Sequence, residues 1–173
     1  MYSCDPGGGL STETVDLIQQ GVHRPKGQLV PTTLINQLGF SDAGALRCCR
    51  IMRIVVHPQL QRKGLGSQLL SAFIKQFETD YFATSFGASE ALLHFWHHHD
   101  FHPIKLGSRR DQSSGCYSIL MIRQCLELWF DSAKQYFSYY FMNTLKTEFV
   151  QLEPAIVRQL LSMLSPLSWH HSY

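Results

Sequence analysis

Between Leu46 and His57 the chain reads L-R-C-C-R-I-M-R-I-V-V-H, an apolar stretch interleaved with arginines. Strict alternation puts Ile51, Arg53, Val55 and His57 on one face and Met52, Ile54 and Val56 on the other, which predicts a strand. The period then changes. From Gly66 to Phe77, the residues Leu69, Leu70, Phe73, Ile74 and Phe77 recur at helical spacing. Tyr81 to Phe86 reads as a short strand and Ser89 to His98 as a helix. Phe101 to Leu106 and Tyr117 to Arg123 read as strands joined by the polar loop GSRRDQSSG. The middle of the chain therefore runs strand, helix, strand, helix, strand, strand. That order predicts an α/β fold with a parallel pair at its centre.

The flanks read differently. MYSCDPGGGL is expected to be a loop, because Gly7, Gly8 and Gly9 disfavour any regular element. Ser11 to Thr14 can cap a short helix that runs to Gln20 and ends at Gly21. HRPKGQLVP reads as a basic turn, and Thr32 to Leu38 as another short helix stopped by Gly39. After Leu126 the character becomes helical. DSAKQYFSYYFMNTLKTEF predicts one long helix with aromatic residues at 136, 137, 139, 140 and 141 on more than one face, as expected of a helix packed against the rest of the protein. Pro154 is expected to open a further helix and Pro166 to close it. Two domains follow: residues 1–125, and a helical tail over 126–173.

Composition narrows the class. The chain has 173 residues, 45% of them hydrophobic and 16% charged, which is globular rather than disordered. Net charge is only +2, so bulk charge does not prove a nucleic-acid surface. Basic residues do gather locally: Arg47, Arg50, Arg53, Arg62 and Lys63, and again Lys105, Arg109 and Arg110. The second group could contact RNA phosphates or decorate a solvated loop. Five cysteines without a C-x-x-C pair, no signal-peptide pattern and no membrane-length apolar run lead us to expect a cytoplasmic protein with free thiols. His94 and His98 lie one helical turn apart, but only Asp100 stands near enough to add a ligand, and no metal is expected.

The chemistry concentrates after the Leu46–His57 strand. Gln61-Arg62-Lys63-Gly64-Leu65-Gly66 places a Gly-x-Gly turn directly before a helix. The first amides of such a helix have no partner and carry the positive end of its dipole, so a pyrophosphate is the natural occupant. Arg62 and Lys63 add charge at the rim. No G-x-x-x-x-G-K-[ST] string occurs, which leaves out a Walker A loop. A dinucleotide loop needs a third glycine where Leu69 stands. The string does match Q/R-x-x-G-x-G/A, the acyl-CoA loop of GNAT acetyltransferases, and it follows a strand ending in Val56-His57-Pro58 as it does in that family.

Over about residues 22–125 the chain resembles one GNAT branch, the acetyltransferase module of bacterial tRNA(Met) cytidine acetyltransferases. HRPKGQLV, RIMRIVVHPQLQRKGLG, SFGASEALLHFW and RRDQSSGCYS carry the resemblance. It implies a GNAT fold, a mixed sheet with flanking helices, with the N-terminal strands apparently missing and a helical C-terminal tail that starts a tRNA-binding region. It implies transfer of acetyl from acetyl-CoA to the exocyclic amine of the wobble cytidine in elongator tRNA(Met). ATP or GTP would serve only a separate module that this chain lacks, tRNA would bind through the full-length enzyme, and neither DNA nor a membrane is an expected partner.

By position, Ile54, Val55 and Val56 would hold the pantetheine arm, and Gln61, Arg62, Lys63, Gly64, Leu65, Gly66 and Ser67 the pyrophosphate. His57 is a candidate general base, or else a residue that fixes the Pro58 turn. The tyrosine that many GNAT enzymes use to protonate the thiolate is replaced by Trp96, which leaves Tyr117 and Cys116 as substitutes. An acidic residue and an arginine used for the cofactor fall at Ala91 and His98, with Glu90 adjacent. Glu90 and His98 are therefore the expected contacts on that helix. Asp100 stands where the family has a glycine. Two other readings stay open: acetylation of a small amine or protein amine, and a non-catalytic CoA-binding domain.

Overall fold

A computed structural model describes residues 2–123 and 128–164. Five strands make a mixed sheet flanked by helices, and the chain divides into two compact units, Met1–Thr84 and Ser85–Tyr173. The expected domain boundary after residue 125 lies outside the described residues, as do Cys125, Leu126 and Pro166.

The first unit opens with a strand where a loop was expected. β1 (Tyr2–Gly8) pairs antiparallel with β2 (Arg47–Ile54), from Tyr2 opposite Ile54 to Gly8 opposite Arg47, with a bulge between Ser3 and Cys4. Its composition hid it, because Pro and Gly are poor strand formers. An edge strand tolerates both, since one side of its backbone needs no partner. Gly8 is required there: its φ is +79°, and a Cβ would stand 1.8 Å from the backbone oxygen of Leu46. Its N–H donates to Gln28 Oε1 at 2.7 Å, and the neighbouring Gly9 N–H donates to Leu46 O.

α1 (Thr12–Gln19) starts as predicted, with the Ser11 hydroxyl accepting from Thr14 N–H, and buries Val15 and Ile18. The basic turn is shorter than expected, because α2 (Leu29–Thr32) begins within it. The helix expected over 32–38 is instead a π-helical turn, Thr33–Gln37. Asn36 ties that turn to α1 by donating to Ile18 O at 2.9 Å. α3 (Asp42–Ala45) leads into β2, and its Ala43 O accepts from the buried Tyr81 hydroxyl.

β2 pairs parallel with β3 (Tyr81–Gly87), from Cys48 opposite Tyr81 to Ile51 opposite Thr84. The crossover between them is α4 (Leu65–Gln76), which buries Leu70 and Phe73 and sets the Phe73 ring edge-on to Phe82 at 6.1 Å. The start of β2 is pinned: Arg47 N–H donates to the Asp80 carboxylate at 2.6 Å, and Thr79 Oγ1 donates to Arg47 O at 2.8 Å. Burial pushes the Cys48 thiol up to about 12, so this sulfur is a core atom rather than a nucleophile.

In the second unit, α5 (Glu90–His98) is capped by Ser89 and buries Leu93 and Trp96. Trp96 packs edge-on to Phe101 at 4.9 Å and stacks near Phe86 at 6.2 Å. Asp100 has φ +62°, the left-handed conformation that a glycine would take without cost. β4 (Phe101–Arg110) and β5 (Tyr117–Arg123) form an antiparallel hairpin. β4 runs four residues past the expected Leu106, through GSRR, with irregular register on the way. α6 (Leu128–Thr144) ends earlier than expected, at Thr144, and buries Trp129, Phe130, Ala133, Phe137 and Phe141 along one stripe. The turn after it returns Phe149 to the core against Phe141 and Tyr117, and α7 (Pro154–Met163) buries Ile156, Leu160 and Met163.

Gly8 is the sharpest test of β1. Gly8→Ala should lower the free energy of unfolding by about 2 kcal/mol or more, because strain at φ +79° adds to the backbone collision. A urea titration measures it; an unchanged midpoint would contradict the β1–β2 closure.

Candidate acyl-CoA site

The first unit carries a continuous site from the end of β2 to the first turn of α4. The parallel ladder with β3 stops at Ile51, while β2 continues through Met52, Arg53 and Ile54 and stays paired with β1 up to Tyr2 opposite Ile54. Burial falls off over the same residues. Ile51 is buried, Ile54 and Val56 are half-buried, and Val55 is 51% exposed although apolar. Apolar side chains at a strand end with this much exposure suit the side of a ligand groove as well as they suit a covered core.

The chain then makes a single 3-10 turn, Pro58–Leu60, held by side chains at both ends. His57 Nδ1 accepts from Gln59 N–H at 3.3 Å, and Gln61 Nε2 donates to Val56 O at 3.1 Å. Arg62 follows at φ +60° and Gly64 at φ +76°. Two left-handed residues flanking Lys63 fold the backbone into a concave turn of the kind that gathers N–H groups around an anion. A Cβ on Gly64 would meet nothing within 4 Å, so its glycine answers to the φ angle and not to crowding.

α4 begins at this turn without a side-chain cap, whereas Ser11 and Ser89 cap α1 and α5. Its first amides, at Leu65 and Gly66, lie at the positive end of the dipole. Arg62 and Lys63 are exposed, and neither pairs with an acidic side chain among the described residues. Left-handed turn, uncapped helix start and two unpaired cations together fit a pyrophosphate. Ile54, Val55, Val56, His57 and Gln61–Ser67 are thus one contiguous segment of structure.

The remaining expected residues stand in the second unit. Tyr117 is buried on β5, with the Arg110 guanidinium 5.5 Å above its ring and Phe149 edge-on at 5.7 Å. Its neighbour Cys116 lies close to Gly87, where an added Cβ would stand 3.0 Å from the Cys116 Cβ. Glu90 is exposed in the first turn of α5 and His98 in the last, so the two stand about 12 Å apart along the helix and do not share one contact. His98 stacks with His94 at 6.2 Å at the negative end of the α5 dipole, which does not favour an approaching phosphate. Trp96 is a core residue. Arg110 donates to Gln151 O and so braces the turn before α7, leaving Arg109 as the freer cation of that pair. The Asp111 carboxylate accepts from the N–H and hydroxyl groups of Ser113 and Ser114, which hold it at about 2 and shape the Ser-Ser-Gly-Cys turn. Among the described residues no group of three or more His, Cys, Asp or Glu side chains could hold a metal ion. Nor is any helix there long and apolar enough to cross a membrane.

A sequence model of the GNAT acetyltransferase 2 family matches residues 6–80 and 72–126. The chain belongs to this GNAT family. Two relatives share the name tRNA(Met) cytidine acetyltransferase TmcA. That from Vibrio cholerae is 54% identical over 154 residues, and that from Nitrosococcus halophilus 35% identical over 165 residues. The matches take in 89% and 92% of this chain but only 22% of each relative's length. Among solved structures, the ribosomal-protein-S18-alanine N-acetyltransferase from Escherichia coli aligns with 71% of this chain and 93% of its own, at a TM-score of 0.40 and 18% identity.

What sequence reasoning missed here is conformational. Gln61 reads as a motif letter, and its bond to Val56 O has no sequence signature. The left-handed Arg62 could have been suspected only from its place one residue before Lys63-Gly64. The two left-handed residues make opposite predictions. Gly64→Ala should lower stability by about 1 kcal/mol through its φ angle alone, and Arg62→Gly should raise it by up to about 1 kcal/mol. In calorimetric titration Arg62→Gly should nevertheless bind CoA more weakly, by about two- to fivefold, as an exposed charge near a phosphate is lost. Unchanged affinity would remove Arg62 from the phosphate site.

Proposed function

We propose that this chain is the acetyl-CoA-binding, acetyl-transferring module of a tRNA(Met) cytidine acetyltransferase, acting on the exocyclic amine of the wobble cytidine of elongator tRNA(Met). The observation that carries the reading is the uncapped start of α4 behind the left-handed turn at Arg62 and Gly64, set at the end of β2. The 54% identity to the Vibrio cholerae relative supports the choice of substrate within the family.

In this reading the turn and helix start at Arg62–Ser67 seat the pyrophosphate of acetyl-CoA, Gln61 leads into that turn, and Ile54, Val55 and Val56 guide the pantetheine arm at the end of β2. The cytidine amine attacks the thioester carbonyl. A C–N bond forms, the C–S bond breaks, and the coenzyme leaves as a thiolate while the amine loses one proton. Cytosine's amine is neutral at physiological pH, so orientation contributes more than prior deprotonation. A backbone N–H near Val55 or Val56 would stabilise the oxyanion. His57 can take the amine proton only at Nδ1, since in the neutral ring Nδ1 holds the free lone pair and Nε2 the hydrogen. Serving as base would therefore break its bond to Gln59 N–H. Tyr117 or Cys116 would return a proton to the thiolate. The tail beyond residue 125 would lead into the tRNA-binding region.

The test is a chimera in which this chain replaces the matching segment of the Vibrio cholerae protein, assayed for acetylcytidine in elongator tRNA(Met). The chimera should acetylate the tRNA, and Gly64→Glu within it should reduce the rate by about a hundredfold or more by filling the loop. A chimera that binds acetyl-CoA yet acetylates only amines of peptides or small molecules would contradict the tRNA reading.

A further inference from the structure

Gln61 folds back on its own segment. Its Nε2 reaches back over five residues to Val56 O at 3.1 Å. Within the same segment Leu60 N–H donates to His57 O at 2.8 Å, Gln61 N–H to Pro58 O at 3.3 Å, and Gln59 N–H to His57 Nδ1. Residues 56–61 are therefore a closed unit of two backbone and two side-chain bonds. Gln61 is also the residue that leads into the left-handed Arg62.

From this arrangement, and resting on the acetyl-CoA reading above, we propose that Gln61 is a positioning residue that couples the phosphate loop to the end of β2. The physical chain is short. A pyrophosphate held by the amides at the start of α4 immobilises the turn at Arg62–Gly64. That turn fixes the Gln61 main chain, and the Gln61 carboxamide fixes the carbonyl of the peptide joining Val56 to His57. The bond is exposed in the free chain, where water competes for both partners and its net contribution is small. A coenzyme lying over the loop would exclude that water and strengthen it. Seating the nucleotide end of acetyl-CoA thus orders the backbone beside which the acetyl group is to be held.

The requirement at position 61 is for a long side chain that donates to a carbonyl. Gln and Arg both do so. Leu has similar bulk and no donor.

The experiment uses the full chain as wild type, Gln61→Leu and Gln61→Arg, with ADP as probe, because ADP carries the pyrophosphate and nucleoside but no pantetheine arm. Calorimetry reads ADP and CoA affinity, and hydrogen exchange reads the amides of Val55, Val56 and His57. In the wild type ADP should slow exchange at these amides by about fivefold. Gln61→Leu should bind ADP within about threefold of wild type but lose that protection, and Gln61→Arg should keep it. Protection retained in Gln61→Leu would overturn the coupling. So would loss of ADP binding by tenfold or more in Gln61→Leu, which would make Gln61 a phosphate ligand. A wild type that binds CoA but not ADP would overturn it as well. A wild type that binds neither would instead contradict the acetyl-CoA reading on which the coupling rests.

Discussion

A helix that begins in a left-handed glycine has no side chain to satisfy its first amides, and α4 begins that way. Those donors must find water or an anion. Nearly everything notable about the first unit bears on where that helix start is held. Asp80 and Thr79 pin the head of β2, β1 runs along its length, and the ring of bonds over 56–61 fixes its tail. Phe73 and Leu70 anchor α4 itself. The helix start thus stands on a frame held at the head and along the length of β2, which leaves only the exposed 56–61 segment to order when a ligand arrives.

The same frame would let a chain of net charge +2 hold a phosphate. Backbone dipoles carry most of the field, and they do so without the desolvation cost of buried ions. Arg62 and Lys63 need only stand at the rim. Strain at Arg62 is the price of placing a cation there rather than a second glycine. A non-glycine in the left-handed region persists where the surroundings hold it, and such residues gather at ligand sites.

Legibility in the sequence followed local physics. The α4 helix was readable to within a residue at each end, and the β2 strand, which ends at Ile54 rather than His57, to within three, because apolar period and turn residues agree there. Asp100 was readable as a glycine substitute, and its φ of +62° is the conformation that such a substitution must endure. β1 was not readable, because Pro6 and Gly7–Gly8 contradict strand propensity and only pairing with β2 overrides them. The π-helical turn at Thr33–Gln37 and the extension of β4 through GSRR depend likewise on tertiary partners. At the candidate site, the Gly-x-Gly turn and the helix start behind it are a local motif and could be read. The proton-transferring group is not, since it depends on how side chains distant in sequence approach the reacting atoms.

The most direct measurement is the phosphorus NMR spectrum of acetyl-CoA as this chain is added. The account predicts that the two pyrophosphate resonances shift and broaden with a saturable dependence on protein, more than the resonance of the ribose phosphate. Pyrophosphate lines that stay unchanged while the chain is folded would mean that the start of α4 holds no coenzyme, and the account would be wrong at its centre.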